Sequence, residues 1–360
     1  MPRSKAAVSI RDVAAAAGVS VATVSRVLSP ASAAVPMRKE TRDRVERAID
    51  QLGYRPNDLA RALLQQRSSA IGLVVPDISN SYYPPLVRGV EDAASSHGYR
   101  VVLCNTDRDP AKISGYLDTL IKSRVDGIVV AGGGWADAPD RTAVLGTYRT
   151  GLVAVGRHLT AHPSVRVDNV AASREAAEHL IGIGHRRVAF LGGPASSTTV
   201  QDRAQGYRDA LKVAGLGAPV VRYGDFTEES GYAATREILA AVPPPTALLC
   251  ANDRIALGAY AATADAGRRV PEDVSVVGFD DTPIARYVRP TLTTVAIPTY
   301  EMGRAAMRLL LAQLEGTTSS RLETMPTRLM VRDSTAPPAG PLISSPTPPR
   351  AFSRRGTTTC

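Results

Sequence analysis

Apolar positions recur every three to four residues in two short segments near the N-terminus, residues 10–17 and 21–28, separated by Gly18-Val19-Ser20. This spacing predicts a helix, a tight turn and a second helix. Gly18 gives the turn its backbone freedom, and Ser20 is placed to cap the second helix. Val24 and Leu28 share one side of that helix and can bury against Val13, which leaves Val21, Ala22, Ser25 and Arg26 on the outer face. An outward arginine on a short helix of small residues suits a DNA major groove. An ordinary helical hairpin accounts for the pattern equally well. A third amphipathic segment, residues 38–52, puts Val45, Ile49 and Leu52 on one face and its charges on the other, with Gly53 as the stop. Pro56 breaks the chain, and Asn57 can cap a short helix that otherwise reads as a linker.

From Ile71 the period changes. Short β-rich runs at 71–78, 100–106, 127–133 and 152–157, apolar on both faces, alternate with helical stretches near 84–97, 110–123 and 141–149. The same grammar restarts with strands at 187–193, 220–225, 247–253 and 274–281 and helices near 170–183, 201–214, 228–241 and 253–267. Two such units in tandem predict two doubly wound parallel sheets with a cleft between them, ligands binding beyond the carboxyl ends of the strands. A strand at 292–298, a helix near 300–314 and a strand at 327–334 follow. The Pro/Ser/Thr-rich end, residues 336–360, reads as a disordered tail.

Charge sharpens this division. Of the net charge of +9 over 360 residues, residues 1–67 carry a surplus of six, with twelve Lys/Arg against six Asp/Glu. Residues 68–335 are balanced, and the tail adds three arginines. A basic head on a neutral body is the footprint of anion binding by the head. Cys104 and Cys250 lie inside apolar runs, and with Cys360 make an odd number, which points to buried thiols in a reducing compartment. Neither a secretory signal nor a membrane span is read from the chain, so a soluble cytoplasmic protein is expected.

The motifs DVAAAAGVSVATVSRVL (12–28), ETRDRVERAIDQLGYRPNDLARAL (40–63), IGLVVPDISNSYYPPLVRGVEDAA (71–94), CANDRIALGAY (250–260) and VSVVGFDDTPIARYVRPTLTTV (274–295) occur in an order and spacing that together are highly specific. In these stretches the chain resembles bacterial transcription regulators of the lactose-repressor/galactose-repressor family, from about Ile10 to Ser334. The resemblance implies an α/β protein with a three-helix helix-turn-helix head and two doubly wound subdomains of periplasmic-binding-protein type. It implies a head over residues 1–56, a hinge over 57–68 and an effector-binding and dimerisation domain over 69–335. Subdomain one takes about 69–167 and 299–325, and subdomain two about 168–298 and 326–335. Double-stranded, near-palindromic operator DNA and a second copy of the chain are the implied macromolecular partners. Val21, Ala22 and Arg26 then face base edges, Thr23, Ser25 and Asn57 contact phosphate or cap helices, and Leu63 is the apolar wedge in the minor groove. For Val21 and Ala22, plain helix filling competes with base contact. The stretch 28–41 is longer than the family's usual turn.

For a small effector the resemblance carries over to Tyr82, Tyr83, Arg203, Phe226, Asn252 and Asp280, with Ser197 and Thr199 in second rank. Aromatic faces with fixed donors and acceptors suit a sugar or a nucleobase. Arg203 and Asp280 can equally form a structural ion pair, and Tyr82 can be core. Gly156 stands where many sugar-responsive relatives carry an acid, and Phe226 is compatible with purine-responsive ones. A sugar is the expectation, with a purine or nucleoside as the alternative. His158 and His162 read as loop histidines without a metal pattern. The glycine-rich loop 192–198 lacks a phosphate-binding lysine, and Asp280 and Asp281 point to opposite faces. No catalytic residue, metal or cofactor is assigned. A cytoplasmic solute-binding protein or sugar-processing enzyme on the same scaffold is the competing class, and the basic head argues against both.

Overall fold

The computed structural model describes residues 8–28, 37–55, 68–132, 150–157, 162–317 and 322–339. The chain divides into two compact units, Met1–Ser69 and Ala70–Cys360. The first holds α1 (Ile10–Ala17), α2 (Val21–Val27) and α3 (Lys39–Leu52). Ser9 and Asp12 close α1 with a reciprocal cap, the Ser9 backbone N–H donating to Asp12 Oδ2 at 2.8 Å. Gly18 turns the chain at φ 62°, and Ser20 Oγ accepts from the Thr23 N–H at 3.2 Å to start α2. Val13, Ala14, Ala17, Val24, Val45 and Ala48 form the small core. Asn57, Leu63 and the expected hinge helix lie outside the described residues, as do the expected helix near 141–149 and most of the long turn before α3.

The second unit carries two six-stranded sheets. The first is ordered β11-β5-β4-β3-β1-β2, from β1 (Ala70–Val75), β2 (Arg100–Asn105), β3 (Gly127–Ala131), β4 (Gly151–Val155), β5 (Ser164–Val167) and β11 (Leu322–Met325), and its described pairings are all parallel. α5 (Pro110–Lys122) packs over β1, where Leu120 fills the space above Gly72. α4 (Tyr83–Ser95) and α10 (Thr299–Leu314) pair with each other on this sheet.

The second sheet is ordered β12-β10-β9-β8-β6-β7, from β6 (Val188–Gly192), β7 (Val220–Tyr223), β8 (Ala247–Cys250), β9 (Ser275–Asp280), β10 (Thr293–Ala296) and β12 (Arg328–Met330), which alone runs antiparallel to its neighbour. It is covered by the pairs α6 (Asn169–Gly182) with α7 (Thr198–Val213) and α8 (Glu228–Leu239) with α9 (Asp253–Asp265). Strands β3, β6, β8 and β9 are buried at every position, as parallel strands with both faces covered must be.

Two expectations need correction. The run at 100–106 is not an interior strand: β2 is a sheet edge, as β7 is in the second sheet, and Val102 is 45% and Leu103 43% exposed. An apolar run signals burial but not against what, and an edge strand that keeps an apolar face reads like an interior one. Disorder does not begin at Ala336 either. The Ala336 N–H donates to Ser275 Oγ at 3.1 Å, and its carbonyl lies 3.0 Å from His185 Nε2. Strands β5 and β11 were not expected, because four residues of mixed polarity carry too short an alternation to read.

The helix pairs approach closely through glycine. A Cβ at Gly303 of α10 would meet the Leu86 carbonyl of α4, and one at Gly89 would meet the Tyr300 carbonyl of α10. Gly303→Ala should therefore cost about 1–3 kcal/mol, the usual range for overpacking, read as a lower urea midpoint. His185, 1% exposed, also sets Nδ1 2.8 Å from Thr246 Oγ1. Burial holds its pKa below the ordinary 6.5, so the folded state favours the neutral ring. Its stabilising contribution is complete above that value and is lost as pH falls through the depressed folded-state value. The urea midpoint should drop between neutral and mildly acidic pH, and His185→Gln should flatten that slope.

Candidate functional site

In the first unit, α2 is the exposed feature. Val24 is its buried anchor, while Val21, Ala22, Ser25 and Arg26 are exposed and Thr23 is half-buried. Thr23 Oγ1 lies 2.9 Å from Ser20 Oγ, so this side chain belongs to the cap of α2. The face left to a partner is small and ends in one cation, Arg26.

In the second unit the strand orders put a switch point between β1 and β3 in the first sheet and between β6 and β8 in the second. Ligands of open α/β sheets bind where such points open, beyond the carboxyl ends. Beyond β1 come Tyr82 and Tyr83, beyond β6 Ser197 and Thr199, beyond β8 Asn252, and at the end of β9 Asp280.

Arg203 on α7 is the centre of the group. It is 4% exposed, its Nε donates to Asn169 Oδ1 at 2.9 Å, and its Nη1 donates to the Ala251 carbonyl and sits 3.6 Å from Asp280 Oδ1. The guanidinium lies 3.8 Å from the centroid of Phe279. Burial pushes the Asp280 carboxyl well above the usual carboxylate range, against the pull of Arg203. A carboxyl poised this way accepts from a hydroxyl when ionised and donates to one when protonated. Tyr82 adjoins this pair electrostatically and meets Tyr83 edge-on, with centroids 4.9 Å apart. Burial raises both phenols, which keeps them neutral donors.

Other expected residues have structural engagements. Asn252 is buried, and its Oδ1 accepts from the Ile255 N–H at 2.8 Å as the cap of α9, while its Nδ2 donates to the Phe226 carbonyl at 3.3 Å. Phe226 packs directly against Gly193, and Arg108 lies 4.9 Å from its ring centroid. Ser197 starts α7 without a side-chain cap bond, and Thr199 is half-buried. Asp281 lies past the end of β9 at φ 52°, so strand alternation does not apply to it, and it has its own partners, Arg332 at 2.6 Å and Arg286 at 3.1 Å.

Sequence reasoning missed Asn169, Phe279, Asp253 and a rim of charges. Asp253 is fully buried and accepts from the Thr282 N–H at 2.7 Å, Thr282 Oγ1 at 2.8 Å and Thr294 Oγ1 at 2.6 Å, which ties β9, β10 and α9 together. At the rim, Asp77 beyond β1 faces Arg108 at 3.8 Å and Arg254 of α9 at 3.5 Å, and Arg157 beyond β4 pairs with Asp202 of α7 at 2.9 Å. Nothing in their local sequence distinguishes these from surface charges. Among the described residues no group of His, Cys, Asp and Glu is placed to hold a metal ion. No described helix is long and apolar enough to cross a membrane.

Residues 9–57 match the lacI family of bacterial regulatory proteins, and residues 177–335 match a periplasmic binding protein-like domain. The ribose operon repressor of Halalkalibacterium halodurans is 37% identical over 337 residues, 91% of this chain and 96% of that protein. The chain belongs to the LacI family. Among solved structures, the transcriptional regulator CelR in complex with cellobiose is 36% identical, with a TM-score of 0.68 over 91% of this chain and 99% of that one. The lac repressor dimer bound to operator and the anti-inducer ONPF is 29% identical, with a TM-score of 0.82 over 92% and 99%. Membership accounts for both the helix-turn-helix head and the two-sheet body.

The Arg203–Asp280 pair carries a direct stability test. Arg203→Met leaves Asp280, Asn169 and the Ala251 carbonyl without their partner and should cost about 3–5 kcal/mol in urea unfolding. Adding Asp280→Asn should return part of that loss, since removing both charges is cheaper than orphaning one.

Proposed function

We propose that this LacI-family regulator is a sequence-specific repressor whose operator affinity is set by a small polar effector, a sugar, bound between the two sheets of the body. One observation carries the reading: a capped helix exposing Arg26 and a buried Arg203–Asp280 pair at the sheet switch points occur in the same chain. Relatives named for ribose and solved with cellobiose favour a sugar. Tyr82, Arg203 and Asp280 contact its hydroxyls, with Tyr83, Asn252, Phe226, Ser197 and Thr199 around them. The protein acts by binding and not by turnover, in the cytoplasm.

On DNA the protein acts as a homodimer, with two copies of α2 in successive major grooves of a near-palindromic operator. The solved lac repressor dimer supports a second copy as the partner. So does the groove between α4 and β2, where Ile78, Val87, Val101 and Leu103 leave an apolar surface beside Arg88 and Glu91. The effector changes the angle between the subdomains, and this alters how the two copies of the segment 57–64, with Asn57 and Leu63, enter the minor groove.

Selection of bound duplexes from random DNA by the full chain should return a near-palindrome. Recovery of no preferred sequence would overturn the reading. Arg26→Ala should lose about 1–3 kcal/mol of discrimination between that operator and a mismatched one, measured by fluorescence anisotropy, with less effect on random DNA. Equal weakening on both would remove Arg26 from base readout.

A further inference from the structure

The rim of the cleft carries a charge cluster that the effector reading does not use. Asp77 follows β1 of the first sheet, and Arg254 lies in the first turn of α9 on the second. Arg254 is held by Glu228, whose carboxylate accepts from its Nε at 2.9 Å and from its Nη2 at 2.6 Å. The same guanidinium reaches across to Asp77 Oδ2, 3.5 Å from Nη1. Asp77 in turn has a cation from its own side, Arg108 at 3.8 Å, and Arg108 lies against Phe226 of the opposite side.

We propose that Asp77, Arg108, Glu228 and Arg254 form an ionic latch across the mouth of the cleft, which sets the balance between its closed and open arrangements, with Arg254 as the positioning residue. Each half of the latch is complete without the other. When the subdomains part, Arg254 keeps Glu228 and Asp77 keeps Arg108, so opening leaves no charge without a counter-charge. The four side chains sit at the edge of the cleft, with Asp77 and Arg254 about one-fifth exposed, so water reaches both halves as they separate. A contact of this kind is weak and screened by salt. It can therefore bias a closure equilibrium without locking it, which a responsive cleft requires. The inference rests on the geometry of the rim and not on which effector the cleft takes.

The test reads the distance between the subdomains in the full chain, without effector or DNA. Nitroxide labels go on Ala111→Cys at the start of α5 and Ala233→Cys on α8, both exposed, with Cys360 replaced by serine and labelled protein diluted in excess unlabelled chain. Pulsed electron resonance should give a short-distance population that shrinks about threefold between about 0.05 M and about 1 M salt, as expected of a partly exposed ion pair. Arg254→Gln should start from the longer distance at low salt and lose most of the salt response, while Arg254→Lys restores part of it. Thermal unfolding should change little in either variant, which separates a latch from a fold-stabilising contact. Identical distances and identical salt response in wild type and Arg254→Gln would overturn the proposal. Should Arg254→Gln fail to fold, a wild type whose distance distribution shows no response to salt overturns it by itself.

Discussion

Arg203 is a full cation held almost entirely out of water, and the body of the protein is arranged so that it can be there. Its four partner residues come from three separate elements: Asn169 at the start of α6, Ala251 after β8, and Phe279 and Asp280 at the end of β9. A buried guanidinium without such partners would cost several kcal/mol, and one with them still gives back little net stability. Its value lies in position. The pair fixes the carboxyl ends of the central strands of the second sheet around one point and leaves a donor and an adjustable carboxyl where that sheet opens. Asp253, buried beneath and bonded to Thr282 and Thr294, holds the end of β9 in place from the other side.

How far each feature could be read from the chain follows from the range of the interaction behind it. The helix-turn-helix head was legible because its determinants are local: Gly18 in a left-handed turn, Ser20 capping three residues on, Val24 one turn into the helix. The interior strands were legible because burial on both faces demands unbroken apolar runs. Edge strand β2 uses the same residue types for a different purpose, so its run reads as interior. The four-residue strands β5 and β11 fell below what alternation can show. At the site, the family resemblance named Arg203 and Asp280 and left their pairing as one of two readings, while the roles of Asn169 and Phe279 depend on contacts between distant segments. Asn252 illustrates the limit well. Its amide suits a ligand by type, and only the structure shows Oδ1 capping α9 and one Nδ2 N–H bonding the Phe226 carbonyl.

The charges at the cleft rim complete the picture of a responsive body. Around the carboxyl end of β9 the buried Arg203, Asp253 and Asn252 are all hydrogen-bonded, which stiffens that part of the second sheet. At the mouth, ion pairs such as Asp77 with Arg254 and Arg157 with Asp202 join residues beyond the first sheet to residues on helices of the second, in partly exposed positions. Stiff lobes with weak contacts between them favour discrete arrangements over gradual deformation. A ligand bound between the lobes needs to discriminate between arrangements by only a few kcal/mol to change what the head can reach.

Linkage between cleft and operator is the central claim, and it is tested most directly by one titration. Operator affinity of the full chain is measured by fluorescence anisotropy with and without whichever member of a panel of ribose, cellobiose, adenosine and guanine raises the thermal midpoint of the body. A ligand that stabilises the body should change the operator dissociation constant by about tenfold or more, within the usual span of coupling free energies. A ligand that stabilises the body strongly and leaves operator affinity unchanged would contradict the account.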